Sequence, residues 1–267
     1  MIASLPMYDF EELTESTDQL WSAVARQLRA RGLPAPFVLT RPATDLLGHW
    51  RRTDTVLTQA CGYPYRAWLK DTLAVVGTFS YGAAAPRGQY RSVVIARRDD
   101  ERSLSDLAGS RVAANGSDSL TGWVSLGAAL AEAGVTRIGS ITITGAHAKS
   151  VAAVGSGAAD VAAIDAVTWA ILSRRRPTLT AGLRVVGAGP LIACPPLLTA
   201  CRDHVEAVRE AVRDALDVAP PEALAALGID GFVPLDQPAY DNTLQLAERA
   251  ATVLAAPSES APQAARC

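Results

Sequence analysis

The chain has 267 residues, of which 49% are apolar and 19% charged, and its formal net charge is −2. That length suits one large domain or two compact lobes with ample core material, and the charge balance excludes a broad basic face for nucleic acid. No run approaches the roughly 18 apolar residues of a membrane helix, and four cysteines and three histidines fall at no metal-ligand spacing. The start, Met1–Tyr8, has neither a basic segment nor a long apolar one. A cytoplasmic location is therefore expected as written, and a periplasmic one if an export signal has been removed.

In chain order, Ile2–Leu5 reads as a strand stopped by Pro6. Residues Asp18–Arg31 read as an amphipathic helix, with Leu20, Val24 and Leu28 on one face and Gly32 as the stop. Phe37–Thr40 reads as a second strand, Asp45–Arg52 as a short helix and Val56–Thr58 as a third strand running into Gln59–Pro64. Leu73–Phe79 and Arg91–Arg97 are further strands. The middle of the chain alternates: strands at Arg111–Ala114, Ser140–Thr144 and Asp160–Ile164, helices at Gly122–Ala133, Ala148–Gly155 and Asp165–Ser173. Arg174–Arg176 before Pro177 reads as a solvated helix end. Strands follow at Leu183–Val186 and Leu191–Cys194, then helices at about Arg202–Leu216 and Asp241–Leu254. The tail after Pro257 is small and polar and is expected to be disordered.

This alternation predicts an α/β fold of mostly parallel sheets with helices on both faces. Ligands in open α/β sheets sit beyond the carboxyl ends of the strands. The loops at those ends are Pro6–Asp9, Ala60–Pro64, Asn115–Gly122, Gly145–Lys149 and Asp165. Asn115–Trp123 is the most informative of them. A strand empties into a loop of glycine and hydroxyl residues, Ser117, Ser119 and Thr121 among them, and the loop opens a helix. Backbone N–H groups and the positive end of a helix dipole then converge on one spot, which suits a small anion. An ordinary helix cap by Ser119 or Thr121 accounts for the same residues.

Three segments resemble the phosphate/phosphite/phosphonate-binding family of ABC transporter substrate-binding proteins, within the type II periplasmic-binding-protein superfamily. They are Arg111–Gly122, Gly145–Asp165 with its Gly-x-His, helix and Ala-Ala-Ile-Asp pattern, and the looser Gln59–Tyr65. Pro195–Thr199 is similar to the family's return strand. The lead-in Asn115–Asp118 stands where the family has an Asp-Pro type sequence.

The resemblance implies two lobes joined by two crossing strands as a hinge: residues 1–85 and 190–267 form lobe one, and residues 86–189 form lobe two. It implies a solute-binding component of an ABC transporter that closes on a small oxyanion between the lobes, with no cofactor and no metal. A transporter permease is the implied partner, and a monomer is expected. Carried over residue by residue, Ser119 and Thr121 hold the anion, Gly122 lets the backbone approach, and His147 faces the ligand with Ser150 one turn along. Asp165 stands at the family's strand-end aspartate, where it meets the ligand or orients His147. Tyr8, Gly62 and Tyr63 come from lobe one, the tyrosines serving as ligand contacts or as edge-of-core aromatics. The alternative is a cytoplasmic enzyme or ligand sensor on the same fold. His147, Asp165, Lys149 and Cys61 offer a base and nucleophile set for it, but match no known catalytic spacing.

Overall fold

The computed structural model describes residues 1–42, 45–82 and 86–254. The tail after Pro257 and residues 83–85, beside the expected lobe boundary at 85/86, lie outside the described residues. The chain divides into two compact units. The first comprises Met1–Tyr90 and Ala193–Asp241, the second Arg91–Ile192 and the chain from Asn242 onward.

The first unit is built on a five-stranded sheet in the order Ile2–Ser4, Thr55–Gln59, Pro196–Thr199, Ala74–Tyr81, Ile229–Val233. Ile2–Ser4 and Thr55–Gln59 are parallel, and Pro196–Thr199 enters antiparallel between Thr55–Gln59 and Ala74–Tyr81. Ile229–Val233 pairs antiparallel at the edge. Three strands thus run one way and two return. The long helix Thr14–Ala30 buries Thr17, Leu20, Trp21, Val24 and Leu28, a three- and four-residue spacing that makes one apolar stripe. It packs on the helix Val205–Val218, which buries Val208, Ala211, Val212 and Ala215 at the same spacing. The helix starts four residues before the expected Asp18, because the turn Glu11–Leu13 feeds directly into it and Thr17 donates its hydroxyl to the Leu13 carbonyl at 3.0 Å.

Phe37–Thr40 forms no strand. Pro34, Pro36 and Pro42 break the ladder around it, Phe37 is 85% exposed, and the Arg29 guanidinium stacks on its ring at 4.3 Å. The strand Ile229–Val233 and the helix Pro221–Leu227 had no clear signal. The pair Asp230-Gly231 interrupts the strand's apolar pattern, and the helix is only seven residues long.

The second unit carries a five-stranded sheet in the order Ser140–Ile143, Arg111–Ala114, Val161–Asp165, Ser92–Arg97, Leu183–Ala188. Arg111–Ala114 pairs parallel with both neighbours, while Ser92–Arg97 is antiparallel to both of its own. Four strands therefore point one way and one is reversed, so the pairing is mixed rather than mostly parallel. The reversed strand is the one by which the chain enters the unit.

The C-terminal helix Asn242–Ala251 differs from the expectation that assigned residues 242–267 to the first lobe. It packs on the second unit's helix Ser125–Glu132 and buries Thr243, Leu246 and Ala250. The close approach depends on Gly127, where a Cβ would lie 2.5 Å from the Ala250 Cβ and 2.7 Å from its Cα.

Gly77 holds the first sheet's bulge. Its φ is +151°, and a Cβ there would lie 2.6 Å from the Val233 carbonyl oxygen. The register against Pro196–Thr199 slips at this point, from Leu197 opposite Gly77 to Leu198 opposite Val75. Gly77→Ala is expected to destabilise the protein by at least about 1–3 kcal/mol. Urea unfolding followed by circular dichroism measures this, with Gly32→Ala, at a φ of +73° in open space, as the control for positive φ alone.

Candidate functional site

The second unit gathers most of the sequence-predicted residues at one end of its sheet. Arg111–Ala114 is a buried parallel strand, and the chain leaves it through Asn115–Asp118. A π-helical turn, Leu120–Val124, then widens the start of the helix Ser125–Glu132. Both Trp123 N and Val124 N donate to the Ser119 carbonyl, at 3.1 and 3.0 Å. Such wide turns are rare and collect at functional positions. Ser119 is the helix cap: its hydroxyl accepts from Gly122 N at 2.9 Å. Gly122 is required by crowding, since any Cβ would overlap Asn115 Oδ1 and come within 3.2 Å of His147 Cε1.

His147 opens the helix His147–Gly155 and is fully buried. Its Nε2 and the Thr121 hydroxyl are 3.0 Å apart, while Nδ1 makes no hydrogen bond among the described residues. Burial pushes the imidazole pKa down to about 3. The ring is therefore neutral across physiological pH. One helical turn on, Ser150 shares a 2.7 Å hydrogen bond with Thr144, whose hydroxyl also donates to the Ala114 carbonyl at 3.2 Å. These bonds tie the end of the Arg111–Ala114 strand to the His147 helix.

Asp165 ends the strand Val161–Asp165 and caps the next helix, its Oδ1 accepting from Val167 N and Thr168 N at 2.8 and 2.9 Å. Ser92 pairs with Asp165 in the ladder and donates its hydroxyl to the Thr121 carbonyl at 2.8 Å. Thus Thr121, Ser92 and Asp165 belong to one connected patch. Asp165 does not orient His147. The imidazole bonds Thr121 instead, and one oxygen of the carboxylate serves the helix start. Lys149 does not join the patch either, because it lies on the exposed side of the helix that buries His147.

Asp118 and Asp165 are the only fully buried charged side chains among the described residues. The rest of the patch is neutral: Asn115, Ser119, Thr121, His147, Ser150 and Thr168 are all buried, and Ser117 is half-buried. Asn115, Asp118 and Thr168 are not among the residues that the sequence motifs mark. Their signal was a polar residue where the strand and helix patterns leave a buried position. No group of three or more potential metal ligands occurs among the described residues.

In the first unit, Cys61 precedes the short helix Gly62–Pro64, which runs into a second π-helical turn, Tyr65–Leu69. Gly62 is buried and Tyr63 half-buried, its ring edge-on to Trp68 at 5.8 Å. Tyr8 is buried, edge-on to Tyr81 at 5.0 Å. Both expected tyrosines are therefore at least partly engaged in aromatic packing within their own unit.

Two α/β units built from a discontinuous chain define a type II periplasmic-binding-protein fold. The phosphonate family of periplasmic substrate-binding proteins of ABC transporters matches residues 2–240, and the chain belongs to that family. Solved structures agree in fold. PhnD1 from Prochlorococcus marinus, in complex with methylphosphonate, superposes with a TM-score of 0.74 at 15% identity, covering 94% of this chain and 98% of that one. XAC2383 from Xanthomonas citri, bound to chloride ion, gives 0.69 at 18% identity over 94% and 96%. A binding-protein component of an ABC phosphonate transporter from Pseudomonas aeruginosa gives 0.68 at 16% identity over 97% and 90%. No curated protein matches the chain.

The buried neutral histidine makes a testable contribution to stability. The unfolded chain takes up a proton near pH 6.5, whereas the folded protein resists until about pH 3. The stabilisation is present above the unfolded pKa and is lost as pH falls from about 6.5 toward 3, at up to about 1.4 kcal/mol per pH unit. Urea unfolding between pH 7 and 4 should show this loss in the wild type. A His147→Gln variant should be flatter over the same range.

Proposed function

We propose that the chain is the solute-binding component of an ABC importer for a small phosphonate- or phosphate-like oxyanion. The observation that supports this most is the buried patch at the start of the Ser125–Glu132 helix. A wide turn, a capping serine, the Thr121 hydroxyl and a neutral His147 converge there, with no buried Lys or Arg among the described residues. Prearranged neutral dipoles can replace an anion's hydration with little reorganisation. The proposed ligand set in the second unit is Ser117, Ser119, Thr121, Gly122, His147, Ser150 and Asp165. Tyr8, Gly62 and Tyr63 are the residues proposed to contribute from the first. Ligand and transporter permease are the partners that the family implies, and the family is periplasmic.

The two buried carboxylates narrow the ligand. A fully ionised dianion beside Asp118 and Asp165 is opposed by like charge, whereas a ligand bearing an ionisable hydroxyl or an ammonium group can donate to a carboxylate. The chain is therefore read as selecting singly ionised or amine-bearing oxyanions over bare dianions.

Calorimetry with phosphate, phosphite, methylphosphonate and 2-aminoethylphosphonate tests the reading. At least one should bind, more tightly below the ligand's second ionisation than above it unless it carries an amine. Thr121→Val should weaken that binding by about tenfold or more. Absence of heat with all four ligands at about 1 mM would overturn the proposal.

A further inference from the structure

The second unit has another opening, outside the ligand set above. It is a groove of about 420 Å³ lined by Arg91, Leu104, Ala129, Glu132, Ala133 and Leu191, with the segment Ala188–Pro190 along one side. That volume is within the range of small-molecule sites. Arg91 distinguishes it. Elsewhere the arginines Arg41, Arg66, Arg102, Arg111 and Arg209 each sit on a carboxylate. The Arg91 guanidinium has no hydrogen bond or ion pair with any described residue, and its Nε is shielded from water. A shielded, unpartnered guanidinium N–H leaves a strong donor unsatisfied. A second unsatisfied donor lies close by: Ser125 is fully buried, its hydroxyl has no partner, and it sits under Gly189, where a Cβ would be 3.0 Å from the Ser125 Cβ. Glu132 is exposed and likewise forms no ion pair with a described residue. Leu104 and Leu191 add apolar surface, Leu191 being 39% exposed.

We propose that this groove binds a small aliphatic amino acid as a zwitterion. The carboxylate takes the two terminal amino groups of Arg91, whose spacing matches its planar geometry. The ammonium faces Glu132, and the aliphatic side chain lies on Leu104, Leu191 and the alanines. A simple carboxylate would leave Glu132 as a repulsive neighbour, and a simple amine would leave Arg91 unpaired, so the zwitterion alone satisfies both. Arg91 is the first residue of the second unit, and Leu191 is the last but one before the chain leaves it. An occupant therefore grips both ends of the 91–192 segment, which makes the groove a place where a metabolite can influence the transport component.

The test is a titration of the full chain with L-leucine, 4-methylpentanoate and isopentylamine, followed by calorimetry and by amide shifts in ¹H–¹⁵N spectra. Leucine should give saturable shifts at Arg91, Glu132 and Leu191 that excess methylphosphonate does not displace. Arg91→Gln should weaken leucine binding about tenfold or more with the melting temperature and methylphosphonate affinity unchanged. Ala133→Phe, which fills the groove, should abolish it. Absence of saturable shifts at about 10 mM leucine, or leucine binding untouched by Arg91→Gln, would overturn the proposal. So would shifts that methylphosphonate displaces, or methylpentanoate binding as tightly as leucine. If methylphosphonate itself fails to bind, the transport reading falls while the leucine arm still decides this one.

Discussion

Keeping the Asp165 carboxylate out of water is the constraint around which the second unit is organised. A buried carboxylate is costly unless donors meet it, and the protein meets Asp165 with the opening N–H groups of the next helix. That arrangement fixes where the strand Val161–Asp165 must stop and where the helix must begin. The neighbouring strand is then tied in by Ser92, which pairs with Asp165 and holds the Thr121 carbonyl. Thr121 in turn holds His147. The polar patch is one connected network, so moving any member disturbs the helix starts that the others define.

The same network explains why the patch stays free of buried cations. An imidazolium in so dry a place would be disfavoured, and burial holds His147 neutral. A site assembled this way exerts little net attraction at a distance. On the proposed function, it would discriminate through the fit of dipoles at contact rather than by long-range attraction.

Much of this was legible in the sequence, for identifiable reasons. The strand–loop–helix at Arg111–Glu132 is readable because an apolar run, a glycine-and-hydroxyl loop and a helical period follow one another without interruption. Cap and anion site were competing readings of Ser119, and the hydroxyl does make the cap. Asp165 was legible as a strand-end acid, but its service to the helix start depends on a backbone geometry that spacing does not encode. Asn115 was read only as part of a lead-in. Its contact with Gly122 depends on the π-helical turn, which no short pattern announces. Phe37–Thr40 misled because β-branched and aromatic residues outweighed the flanking prolines. The C-terminal helix was visible as a helix, while its partner was not. Only the absent side chain at Gly127 shows which surface it covers.

That last helix has a consequence for how the protein is made. The first unit lacks its central return strand until the ribosome has passed Thr199, and its edge strand until Val233. The second lacks the cover over its Ser125–Glu132 helix until Ala251 has emerged. Neither unit can be finished before Thr199 has been made. Nascent chains stalled near residue 190 carry one sheet that still lacks two strands and one bare helix, and both units close only after Thr199 has been made.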